Sequence, residues 1–181
     1  MFILVIGDFH IPDRANKIPD QIKRDIENEK YDMVISTGDY TIPEILEWVK
    51  SLAPNCVCVH GNMDDYEIMQ SLPTTISTKI ANRKVCIYHG HGIWPRGDPE
   101  QLSSIAMKYN ASVIISGHTH KPVFKKYNGI YILNPGSATG AYSGTGARYS
   151  PSYMTIDTTQ WTVEMKILRG KIIEGRKYKV E

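Results

Sequence analysis

Short apolar runs recur along this chain, and each one ends in a turn. Phe2–Ile6 runs into Gly7-Asp8, Met33–Thr37 into Gly38-Asp39, and Cys56–His60 into Gly61-Asn62. Val85–His89 then runs into Gly90, and Ser112–Ser116 into Gly117-His118. Val- and Ile-rich runs of this length are too short for helices and predict strands buried on both faces. The stretches between them read as helices. Pro19–Glu29 opens on a proline, which suits a first helical turn, and continues with alternating charge. Pro43–Leu52 places Ile42, Ile45, Leu46 and Val49 on one stripe, and Pro99–Tyr109 does the same with Leu102, Ile105, Ala106 and Tyr109. Strands alternating with helices predict a largely parallel α/β sheet.

The pattern changes toward the C-terminus. Pro122–Tyr127 and Ile130–Leu133 flank Asn128-Gly129, a two-residue hairpin signal. Ser152–Asp157 and Thr162–Leu168 alternate at period two, so the last third is expected to be antiparallel. The expected fold class is therefore α/β, with two packed mixed β-sheets flanked by helices. With 181 residues and no linker or repeat, residues 1–181 are expected to form one domain. The last 17 residues carry six Lys or Arg against two Glu, which reads as a solvated edge strand protected from aggregation.

Composition removes several function classes. A net charge of +2 with no basic stripe gives nucleic acid no footing. No apolar run approaches the roughly 18 residues of a membrane span, so direct membrane insertion is not expected. The opening MFILVI run is too short for a signal-peptide core. Cys56, Cys58 and Cys86 are odd in number and lie inside apolar runs, which predicts buried thiols in a reducing compartment.

The chemistry gathers at the turns. His10, His89, His91, His118 and His120 all follow closely on an apolar run, and Asp8, Asp39 and Asn62 occupy the same kind of turn. Parallel strands deliver their C-terminal ends to one sheet edge, where ligand crevices form. Asp8, His10, Asp39, Asn62, His89, His118 and His120 are thus expected to converge from five strands. Acids and imidazoles cannot desolvate together comfortably without a cation. Seven donors exceed the need of one ion, so two divalent metal ions sharing a carboxylate are expected. The donor chemistry suits zinc, iron, manganese or nickel, with zinc and manganese foremost.

The order GDxH, GD, GN, HGH, GHxH resembles the calcineurin-like metallophosphoesterase family from Gly7 to Tyr142. The resemblance implies an αββα sandwich. It assigns Asp8, His10, Asp39 and His120 to the first metal, and Asp39, Asn62, His89 and His118 to the second. Active members carry a His after the Asn of the GN motif; here that residue is Met63, which leaves His91 as the candidate general acid. GDFHIPDRANKIP, HGHGIWPRGD and YILNPGSATGAY narrow the likeness to the vacuolar protein sorting 29 branch, whose members are subunits of retromer. That branch implies a scaffold in endosome-to-Golgi cargo sorting, cytoplasmic and peripheral on endosomal membranes. A large helical-solenoid partner is expected on the metal-site face, and regulators at a patch including Ile93 and Trp94. The sequence thus favours a metal-binding sorting subunit with little or no hydrolysis. The alternative is a metal-dependent phosphodiesterase.

Overall fold

A computed structural model describes residues 1–181. The chain runs β1 (Phe2–Ile6), α1 (Asp20–Glu27), β2 (Met33–Ser36), α2 (Pro43–Ser51), β3 (Cys56–Cys58) and α3 (Tyr66–Ser71). It continues with β4 (Thr75–Ile80), β5 (Arg83–Tyr88), α4 (Pro99–Lys108), β6 (Val113–Ile115), β7 (Val123–Tyr127) and β8 (Ile130–Asn134). It ends with β9 (Ser152–Asp157), β10 (Thr162–Arg169) and β11 (Ile172–Lys179).

Two mixed sheets form, ordered β11-β10-β9-β1-β2-β3 and β4-β5-β6-β8-β7. Parallel pairs β1–β2 and β2–β3 form one end of the first sheet, with antiparallel β9, β10 and β11 at the other, while parallel β5–β6 and β6–β8 sit in the centre of the second between antiparallel β4 and β7. The alternation of side chains along each strand sorts the core into layers. Ile3 and Val5 of β1 meet Val85, Ile87, Val113 and Ile115 between the sheets, while Leu4 and Ile6 face Ile22 and Ile26 of α1 and Leu46 and Val49 of α2. On the far side, Cys86, Ile114 and Ile132 pack under Leu102 and Ala106 of α4. Helices therefore cover both outer faces, as the pattern predicted.

Three features depart from the sequence reading. β4 and the six-residue α3 carried no readable signal; β4 pairs with β5 through a tight turn at Ala81-Asn82, with Ala81 at φ 51°. The C-terminal third is not wholly antiparallel, since β8 also joins β6 in parallel. Cys58 and Cys86 are buried as expected, but Cys56 is exposed, because β3 lies at the edge of its sheet. The Asn128-Gly129 hairpin is as read, with both residues at positive φ, 48° and 80°. No helix is long and apolar enough to cross a membrane.

Candidate metal centre

β1, β2 and β3 end at one edge of the first sheet, and β5 and β6 end beside them in the second. The turns that follow carry the candidate donors. Asp8, His10, Asp39, His89, His118 and His120 are all buried, none more than 7% exposed. Of the ten non-glycine residues with positive φ, five are Asp8, His10, Asp39, His118 and His120, at φ between 51° and 67°. Left-handed backbone at a residue with a Cβ costs on the order of 1–3 kcal/mol and persists only where the surroundings enforce it. Here it turns short polar side chains back toward a common point. Close packing of the turns requires glycine: Gly38 has φ 97°, and a Cβ on Gly61 would stand 2.6 Å from the Asp39 nitrogen.

Four donors form a tight set. Ligand atoms of Asp8, His10, Asp39 and His120 all lie within 4.8 Å of one another. His10 Nε2 is 3.0 Å from His120 Nε2 and 3.2 Å from Asp39 Oδ2. A second set shares Asp39: His89 Nε2 is 3.3 Å from Asp39 Oδ2 and 3.2 Å from His118 Nδ1. Asp39 Oδ2 thus stands between the two groups. Ligand atoms held about 2.0–2.1 Å from one ion lie roughly 2.9–3.4 Å apart; the contacts of Asp39 with His10 and His89, of His10 with His120 and of His89 with His118 have this spacing, while Asp8 Oδ1 stands 3.8 Å from His120 Nε2. Asn62 is exposed and lines the mouth of the centre with Asp39, His118 and His120.

Neighbouring groups set the orientation of each donor. His89 Nδ1 donates to the Thr37 carbonyl at 2.7 Å and His120 Nδ1 to the Ala141 carbonyl at 2.8 Å, so both Nε2 atoms face the centre. Asp39 Oδ1 accepts from the Met63 N–H at 2.8 Å. Asp8 Oδ1 accepts from the His118 N–H at 3.1 Å, while Asp8 Oδ2 and His10 Nδ1 are buried without a partner. Asp64 follows Met63 in the chain. Buried, it accepts from the backbone N–H groups of Asp39, Thr41 and Gly61 at 2.7–3.1 Å, tying the turns after β2 and β3 together.

The electrostatics favour a positive charge at the middle. Burial raises Asp8 to about 6 against the pull of His120 and His89. Burial also opposes charge on Asp39, but His89 and His10 outweigh it and hold the carboxyl well below its usual range. Burial pushes His10 down to about 3, and burial with His89 and Arg96 does the same to His118. On His89 burial again opposes charge, but Asp39 and Asp8 prevail and raise it to about 9. The cluster therefore gathers a proton onto His89 and keeps His10 and His118 neutral. Unpartnered acceptors, lone pairs aimed at one point and a resident proton are what a divalent ion would replace. The donor set fits divalent metal.

The comparisons with known proteins agree with this geometry. Residues 1–160 match the family model of the calcineurin-like phosphoesterase superfamily domain. The chain belongs to that superfamily. A probable metallophosphoesterase from Methanothermobacter thermautotrophicus is 40% identical over 142 residues, 77% of this chain and 78% of that protein. A single-substitution variant of Vps29 from Entamoeba histolytica superposes with a TM-score of 0.92 at 34% identity, covering 100% of both chains. Wild-type Vps29 of the same organism, solved with Zn²⁺, gives 0.90 at 34% identity over 99% of both chains.

Two side chains at the mouth carried no signal in the sequence. Arg14 and Arg96 flank the mouth with Asn62, Met63 and Gly144. Arg14 is held by the Tyr142 carbonyl at 3.2 Å and by that residue's ring, 5.2 Å from its guanidinium. His91 lies at the mouth beside Asn62 and His118, half-buried, its ring 5.6 Å from that of His89. Burial and the neighbouring His89 and His60 lower its pKa, which disfavours the protonated form a general acid needs. The expected patch divides. Trp94 is 77% exposed, whereas Ile93 is only 5% exposed and packs in the cluster under α4.

Proposed function

We propose that the chain is a metal-dependent phosphoesterase, most suited to phosphodiesters with good leaving groups. The observation that carries this reading is the pair of guanidiniums, Arg14 and Arg96, at the mouth of a buried imidazole–carboxylate cluster. A phosphodiester, whose single negative charge is shared by its two non-bridging oxygens, can be met by a metal ion and a guanidinium at once. Asp8, His10, Asp39 and His120 are assigned to one ion and Asp39, Asn62, His89 and His118 to the other, zinc or manganese. Such a pair supplies Lewis acidity toward the phosphoryl oxygen and a nucleophilic water. Arg14 and Arg96 orient the ester, and the low pKa of His91 makes it a hydrogen-bonding partner for the bound ester more than a proton donor. Met63 supplies no proton, so leaving groups that need one are poor substrates.

The test is hydrolysis of bis(p-nitrophenyl) phosphate with Mn²⁺. Turnover well above the metal alone, falling about 10²-fold in kcat/KM for Arg96→Ala, is expected. Background rates, or an Arg96→Ala variant as active as the native chain, overturn the reading.

The likeness to Vps29 across the whole chain and the exposed Trp94 favour a second reading, a retromer-type sorting subunit. On it, a helical-solenoid subunit covers the metal face, Trp94 anchors a regulator, and residues 1–181 act as one domain peripheral to endosomal membranes. Recovery of a stoichiometric helical-repeat partner with the native protein, lost in mouth variants and kept in Trp94→Ala, distinguishes it.

A further inference from the structure

A cavity of about 480 Å³ opens beside the metal mouth and shares Arg96 with it. Its floor is apolar, from Leu102, Val123 and Ile132, and its rim holds three cations, Arg96, Lys121 and Lys125. No carboxylate lies among its fifteen lining residues. None of the three cations belongs to any ion pair of the protein. Like charges gathered around a concavity repel, and no carboxylate in its lining offsets them. An anion would relieve that repulsion, and the apolar floor would take an organic body attached to it.

Neighbouring residues of two segments line the cavity and the metal centre in turn. His118 and His120 face the centre while Thr119 between them lines the cavity; Ser143 lines the cavity while Gly144 lines the mouth. The Arg96 guanidinium passes so close that a Cβ on Gly144 would stand 2.9 Å from Nη1. Arg96 therefore stands at the metal mouth and at the cavity alike, where one molecule with a phosphoester at the mouth could meet it.

We propose that this cavity binds an organic phosphate of nucleotide type, the non-reacting arm of the substrate. The role as a substrate arm rests on the phosphoesterase reading; the binding site itself does not. The probe is adenosine 5′-monophosphate, with adenosine as its uncharged counterpart, titrated into the full chain both loaded with Zn²⁺ and after chelation and followed by amide NMR. The nucleotide is expected to bind at least about tenfold tighter than the nucleoside, the size of one charge-assisted contact. It should shift the amides of Thr119, Lys121, Val123, Ser143 and Thr145 in both samples. A Lys121→Gln/Lys125→Gln variant, changed only at exposed positions, should lose about tenfold in nucleotide affinity and keep its Zn²⁺ affinity. Equal binding of nucleotide and nucleoside, shifts confined to the metal turns, or a double variant that binds as the native chain does would overturn the proposal. Cavity binding without hydrolysis of any ester leaves the site standing and removes the catalytic reading; hydrolysis without a cavity response does the reverse.

Discussion

Asp39 stands where the two donor groups meet, with Oδ2 3.2 Å from His10 and 3.3 Å from His89. Asp39→Asn keeps the shape and the Oδ1 contact to Met63 but removes the shared negative charge. Calorimetric titration with Zn²⁺ should show binding fall from two ions per chain to at most one weak site; two undiminished ions would show that Asp39 bridges nothing. Met63 offers a gain-of-function counterpart. Its backbone is fixed by the bond to Asp39, and its side chain lines the mouth, so an imidazole at this position would face bound ester. Met63→His is expected to raise turnover of poorly activated diesters by about 10²-fold, the usual size of acid catalysis, with little change for p-nitrophenyl esters. An equal change on both substrates would mean that the new side chain does not donate to the leaving group. The donors themselves were legible because histidines and acids after strand runs share a topological position. Arg14 and Arg96 were not, because a lone arginine in a turn has no spacing pattern; only folding places them over the mouth. The left-handed backbone of the donors was equally hidden, since His and Asp do not announce it as glycine does.

At the scale of elements, α1 is tied to the first sheet by Asp25, which accepts from Lys166 of β10 at 2.9 Å and from the Tyr153 hydroxyl of β9. Burial opposes its charge, but the bonds to Tyr153 and Lys166 outweigh this and lower its pKa. A carboxylate lowered on folding contributes stability that is full above its unfolded pKa, near 4, and lost as pH falls through the folded value. With 35% of the side chain exposed, solvent screens the pair, and the contribution is at most about 1 kcal/mol. Asp25→Asn should lower stability slightly at pH 7 and flatten the fall below about pH 4 in urea titrations. A variant with an unchanged acid slope would place the pH dependence elsewhere. The elements that sequence pattern revealed are those with a continuous apolar face, such as β1 and β6. Thr75–Ile80 hid because an edge strand with Thr and Ser on half-exposed positions reads as a loop. α3 hid because its six residues complete less than two turns, and its start rests on the Asp65 cap to the Ile68 N–H.

Across the whole molecule, the donor turns link the two sheets, and they do so under strain. Five left-handed donors and two buried carboxylates share one small volume, opposed in the metal-free state by little more than the proton on His89. Asp64 holds two of the turns from outside; Asp64→Ala leaves three buried N–H groups without their acceptor and should cost about 2–4 kcal/mol, read from urea unfolding. The metal acts from inside, and its effect differs in being reversible. An ion that binds only the folded chain adds about 4 kcal/mol when present at a thousand times its Kd. In a chain of this size, 1 kcal/mol moves Tm by roughly 2–4 °C, so saturating Zn²⁺ should raise Tm by about 8–16 °C over the chelated protein. The increment should shrink as pH falls, because protons compete for the same imidazoles and carboxylates. Asp39→Asn should abolish most of it, while Asp64→Ala should lower both curves and leave their separation. A native chain whose Tm ignores Zn²⁺ would mean that packing alone holds the turns in place, and that the strained donors are stable without the ions their arrangement implies.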